Sequence, residues 1–111
     1  MPDAELAYVP EEKITAYLLE PAHQEGGDKS AFLIRFGFRV AAPEELRDAL
    51  LRHAHEGTVA AMRATPFEPQ FAVEGPLRTP DARDPGFRTV WLRKAGEAGP
   101  RFVTAYPTKR R

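Results

Sequence analysis

The chain has 111 residues, 42% of them apolar, with sixteen basic and sixteen acidic side chains and a formal net charge of zero, which suits one domain with one core and no covalent staples. With no cysteine, disulfides and thiolate chemistry are excluded, and zinc is left with three histidines and carboxylates as ligands. No apolar run approaches the roughly 20 residues that span a bilayer, and the opening MPDAELAYVPEEK lacks the basic-then-apolar order of a secretory signal, so no membrane partner and a cytoplasmic location are expected.

Residues 1–9 are expected to be loose or to lend a short edge strand through LAYV. Pro10 then stands near the first position of a helix over EEKITAYLLE, whose acids favour the positive end of the helix dipole. Ile14, Tyr17 and Leu18 give it an apolar stripe, and Pro21 ends it. PAHQEGGDK is a turn-rich loop in which Asp28 or Ser30 offers a cap. The continuous apolar run of SAFLIRFGF fits a buried helix or a strand; a cap before it and Gly37 after it favour a short helix. FRVAAP leads to a second start signal, Pro43-Glu44-Glu45, and a helix carrying Leu46, Ala49, Leu50, His53 and Ala54 on one face. Gly57 breaks or weakens that helix before TVAAMRA.

From Thr65 the composition turns to prolines and β-formers. QFAVEG reads as a strand with Phe71 and Val73 on one side, followed by the turn TPDARDPG. FRTVWLRK and PRFVTAYP, joined by AGEAG, then form a meander. Alternation groups Thr89 with Trp91 against Val90 and Leu92, and groups Phe102, Thr104 and Tyr106 against Val103 and Ala105. One face is expected to lie under the helices. The other is expected to display Thr89, Trp91, Thr104 and Tyr106 to a flat polar ligand such as a nucleobase. Residues 1–111 thus read as one α+β domain, its N-terminal helices packed on one face of a C-terminal antiparallel sheet, with a basic tail at 108–111.

The zero net charge conceals an asymmetry. Residues 1–28 hold seven acids against Lys13 alone, leaving nine acids against fifteen bases in the remainder. From Arg88 onward, seven bases face Glu97 alone. A locally basic sheet suits a polyanion, while the balanced total argues against tight non-specific nucleic-acid binding.

His23 lies in a polar loop beside Gly26, Gly27 and Lys29, a setting for proton transfer next to a fixed positive charge. His53 shares the apolar helix face and reads as a packed histidine with a satisfied nitrogen; His55 reads as a helix-end cation. Asp81 and Asp84 lack a third ligand spaced to join them, so no metal or other cofactor is expected. There is no G-x-S-x-G elbow, P-loop or G-x-G-x-x-G.

KITAYLL, H-x-x-GG-x-K-x-AF, GF, TVW and PRFVTAYP, taken in order from Lys13 to Pro107, resemble a family of small bacterial domains of unknown function. Ser30, between Lys29 and Ala31, departs from that family's tighter GG-x-KA junction. The family is in turn similar to the barnase, EndoU, colicin and RelE group of metal-independent ribonucleases, which pack helices on an antiparallel sheet whose open face holds RNA. The resemblance implies a metal-independent endoribonuclease that is the toxin of a toxin–antitoxin or toxin–immunity pair. It implies His23, Lys29, Thr104 and Tyr106 as catalytic residues and Arg88, Thr89 and Trp91 as RNA-binding ones. Two alternatives stand beside it: a non-catalytic domain that binds nucleic acid or protein, and a domain whose aromatic face forms a homodimer.

Overall fold

The computed structural model describes residues 1, 3–14, 27–63, 69–93 and 96–108, and gives the backbone alone at 27–30 and 63. Its elements are a 3-10 turn (Ala4–Leu6), three helices α1 (Glu11–Lys13), α2 (Gly27–Arg35) and α3 (Pro43–Glu56), and four strands. These are β1 (Thr58–Arg63), β2 (Gln70–Pro76), β3 (Gly86–Leu92) and β4 (Arg101–Pro107), paired antiparallel in the order β1-β2-β3-β4. Helices come first and a meander follows, so the fold is α+β.

The local signals explain the helices. α3 begins with Pro43 in its first turn and Glu44 and Glu45 at its positive end, and buries Leu46, Ala49, Leu50, His53 and Ala54, the face that periodicity marks. α2 closes where Gly37 takes φ 106°, a left-handed conformation that costs a glycine little. The Phe38 amide reaches back to the Leu33 carbonyl at 3.2 Å, closing the helix end while Phe38 itself enters the core. Of the helix expected over 11–20, the first turn is described and the remainder lies outside the described residues.

Two expectations change. TVAAMRA, left unassigned from sequence, supplies β1: Gly57 ends α3 and the chain turns at once into a strand that pairs with β2. LAYV is a strand only at one point, a parallel bridge between Tyr8 and Arg101, because Ala4–Leu6 is wound into the 3-10 turn. Gly99 fits under this turn. A Cβ there would lie 2.1 Å from the Leu6 carbonyl oxygen, so only glycine permits the approach.

The core lies between the helices and one sheet face. Phe71 and Val73 from β2, Phe87, Thr89 and Trp91 from β3, and Phe102 and Ala105 from β4 are buried with Leu33, Phe38, Leu46 and Leu50. This corrects the expected faces: Thr89 and Trp91, both 0% exposed, point to the helices and are not displayed. Alternation within a strand finds two faces without saying which is wet, and the indole gains more from burial than any neighbour on β3. Phe102 also parts company with Thr104 and Tyr106. Trp91 pairs with Phe102 and Val90 with Thr104, so Val103 is an extra residue in β4, a β-bulge that resets alternation. A second register shift falls between Val59 and Ala61 in β1.

Thr89 is buried because its hydroxyl is satisfied twice. The Trp91 indole N–H donates to Thr89 Oγ1 at 2.8 Å, and His53 Nδ1 lies 2.9 Å from the same oxygen. His53 Nε2 faces two acceptors, the Phe87 and Gly75 carbonyls at 2.9 and 3.1 Å, which requires that nitrogen to carry the proton. The threonine hydroxyl then donates to an unprotonated Nδ1. One neutral histidine thereby locks α3 to β2 and β3, and burial holds its pKa below the usual value.

Candidate functional site

With Phe71, Val73, Thr89, Trp91 and Ala105 committed to the core, the alternate residues form the open face. Its rows follow the strand pairing. Glu74, Arg88 and Tyr106 are cross-strand partners, Ala72, Val90 and Thr104 form the next row, and Gln70 pairs with Leu92 beyond them.

Arg88 is the centre of the first row. Its Nε donates to Glu74 Oε2 at 2.8 Å, and Tyr106 stands directly opposite it on β4. Tyr106 and then Glu74 beside it hold the guanidinium pKa above its ordinary value, so it is a permanent cation. Nε serves Glu74, and a guanidinium has four further N–H donors to divide between Tyr106 and a ligand. A phenol oxygen that accepts from Arg88 can still donate its own hydrogen. Tyr106 is 38% exposed, and the Arg88 and Glu74 side chains retain 29% and 42%, so a ligand can reach all three.

Beside this row is a groove of about 220 Å³, lined among the described residues by Ala61, Gln70, Ala72, Arg88, Val90 and Tyr106. Three small apolar side chains make its floor. Charged and polar ones stand at its ends.

The sequence-derived candidates divide accordingly. Arg88, Thr104 and Tyr106 share the open face. Thr89 and Trp91 lie beneath it in the core, away from the groove. His23 lies outside the described residues, as does the side chain of Lys29, whose backbone is in α2. Glu74 and Gln70 were not singled out from sequence. The signal for both was available, since they alternate with Phe71 and Val73 and must face away from the core.

Other polar clusters are internally balanced. Asp81 and Asp84 pair with Arg83 and Arg78 and accept from Thr79, so they organise the β2–β3 loop. No group of three or more His, Cys, Asp or Glu that could hold a metal ion occurs among the described residues. A larger cleft of about 310 Å³ runs between α3 and that loop, but its cations Arg52 and Arg78 both bind Glu56. Among the described residues no helix is long and apolar enough to cross a membrane.

Comparison with known proteins adds two findings. A family model described as Domain of unknown function (DUF6883) matches residues 1–109. Among solved structures, a chain of the contact-dependent growth inhibition toxin–immunity protein complex from Klebsiella pneumoniae 342 superposes with a TM-score of 0.72. The alignment covers 96% of this chain and 97% of that one at 11% identity, a likeness of fold. No curated protein matches the sequence.

Proposed function

We propose that this chain, which belongs to the family described as Domain of unknown function (DUF6883), is a metal-independent endoribonuclease that serves as a toxin and is held in check by an immunity protein. The observation that carries the reading is the Glu74–Arg88–Tyr106 row: a permanent guanidinium, held by Glu74 and flanked by Tyr106, on the accessible face of an antiparallel sheet. The toxin aspect is supported by the shared fold with a chain from a toxin–immunity complex.

In the proposed reaction a ribose 2′-oxygen attacks the adjacent phosphorus and the bond from phosphorus to the 5′-oxygen breaks. The products are a 2′,3′-cyclic phosphate and a 5′-hydroxyl. Negative charge grows on the non-bridging oxygens, and preorganised cations there supply the largest share of such catalysis. Arg88 takes that role, and Lys29 is assigned to it as a second cation. His23 accepts the 2′-hydroxyl proton or supplies one to the departing 5′-oxygen, Tyr106 is the second donor, and Thr104 bonds a phosphate oxygen. Glu74 fixes the guanidinium plane. An exposed pair of this kind is worth no more than about 1 kcal/mol, so a phosphate can share the cation.

The test is incubation of the purified chain with labelled single-stranded RNA in excess chelator, with product ends identified by mass spectrometry. Cleavage to cyclic-phosphate ends is expected, with the rate reduced roughly 10²–10³-fold in Arg88→Ala. Intact RNA across pH and salt would end the nuclease reading. Binding that persists without cleavage would leave a nucleic-acid-binding domain in its place.

A further inference from the structure

We infer that the groove floor formed by Ala61, Ala72 and Val90 is a seat for a single RNA base, and that the Gln70 side-chain amide reads the edge of that base. The inference rests on the nuclease reading for its chain of phosphates. It concerns different residues and has its own readout.

The argument begins with what the strands leave out. Ala61, Ala72 and Val90 occupy three adjacent strands: Ala61 pairs with Ala72, and Ala72 with Val90. Gln70, Arg88 and Tyr106 surround them as long side chains, so the short ones form a depression. Its floor carries no charge and no hydrogen-bonding group. A flat base face is the nucleotide part that loses least in covering such a floor, and apolar contact with aliphatic side chains is non-directional and so tells little between bases. Trp91, expected to meet RNA on the open face, is buried on the other side of the sheet, so the apolar floor takes that place.

Discrimination then falls to the end of the groove away from Arg88. Same-face residues on a strand are about 6.5–7 Å apart, so Gln70 stands two rows, roughly 13 Å, from the guanidinium row. A nucleotide with its phosphate at Arg88 spans this interval: ribose at the near edge, base over Ala72 and Val90, outer edge toward Gln70. Gln70 is half-buried and lines the groove. A carboxamide presents one acceptor beside one donor and pairs with a base edge carrying the same two in reverse. The ligand class is therefore a ribonucleotide within a single strand, recognised by base edge at one end and phosphate at the other.

The test uses the full chain and four DNA oligonucleotides, each with a single ribonucleotide (A, C, G or U) so that only one bond is cleavable. Wild type is expected to prefer one base by about 5–100-fold, the range of one bidentate amide contact. Gln70→Ala should reduce that preference to within about threefold while still cutting the disfavoured bases. Gln70→Glu, which keeps the acceptor and loses the donor, should reorder the bases. Equal cutting of all four by wild type, or a preference untouched in Gln70→Ala, overturns the base seat and leaves the nuclease reading standing. If nothing is cut, amide NMR with each nucleoside monophosphate and with inorganic phosphate decides. Saturable shifts at Gln70, Ala72 and Val90 with one nucleotide and not with phosphate support the seat without the activity. Identical shifts with phosphate, or none, remove it.

Discussion

His53 and Thr89 show how a polar pair becomes structural. The neutral histidine satisfies three partners across two elements, and each would be stranded if the network were cut. Thr89→Val keeps the shape and leaves the Trp91 N–H without an acceptor and His53 Nδ1 without a donor. We expect a loss of about 2–4 kcal/mol, measured by urea denaturation. The same group sets a pH dependence. Its folded pKa lies below the ordinary value of 6.5, so between the two values the unfolded chain binds the proton and the folded chain refuses it. Stability from this group is complete above about pH 6.5 and declines as pH falls below it. In His53→Gln the slope of stability between about pH 6.5 and 5 should flatten, apart from carboxylate effects at lower pH. His53 was readable as a packed residue from its place on the apolar face of α3. Its partners were not, because contacts between positions 36 residues apart have no local signature.

At the level of elements, the helix signals were strong because they are local: Pro43 with two acids, the 3.6-residue stripe, and Gly37 where the backbone turns left-handed. β1 was missed because TVAAMR alternates weakly and becomes a strand through its partner β2. The strand faces were misjudged for a different reason. Each strand displays its alternation, but which side is dry depends on where α3 lands, and a bulge is invisible in the pattern. Thr104 and Tyr106 were grouped by alternation, but Arg88 could join them only once it was seen opposite Tyr106. The corrected faces give a direct prediction. Trp91, the single tryptophan, lies edge-on to Phe102 with ring centroids 5.5 Å apart. Its emission should be blue-shifted, resistant to acrylamide, and unchanged when RNA binds. Quenching by RNA would mean that the indole, not the alanine floor, carries the base.

On the scale of the whole molecule, the zero net charge is distributed into pairs: Arg39 with Glu45, Arg52 and Arg78 with Glu56, Arg83 with Asp81, and Arg93 with Asp3. A sheet face with Arg88 at its centre, itself paired with Glu74, should engage few phosphates. For single-stranded RNA the slope of log affinity against log salt is expected near −1 to −2, since each neutralised phosphate contributes about −0.7. A slope of −4 or steeper would point to a broad basic surface. If the chain acts as a toxin, expression in bacteria should arrest growth, and Arg88→Ala should restore it at equal protein level.

The spare residue in β4 makes one position expendable. With Val103 deleted, Phe102, Thr104, Ala105 and Tyr106 would run in unbroken alternation and meet Trp91, Val90, Thr89 and Arg88 in the order they already hold. The shortened protein should still fold and still set Tyr106 against Arg88. What it would lose is local curvature, because a bulge adds twist that a regular ladder lacks. That single codon deletion therefore separates the contour of the ligand surface from the chemistry upon it.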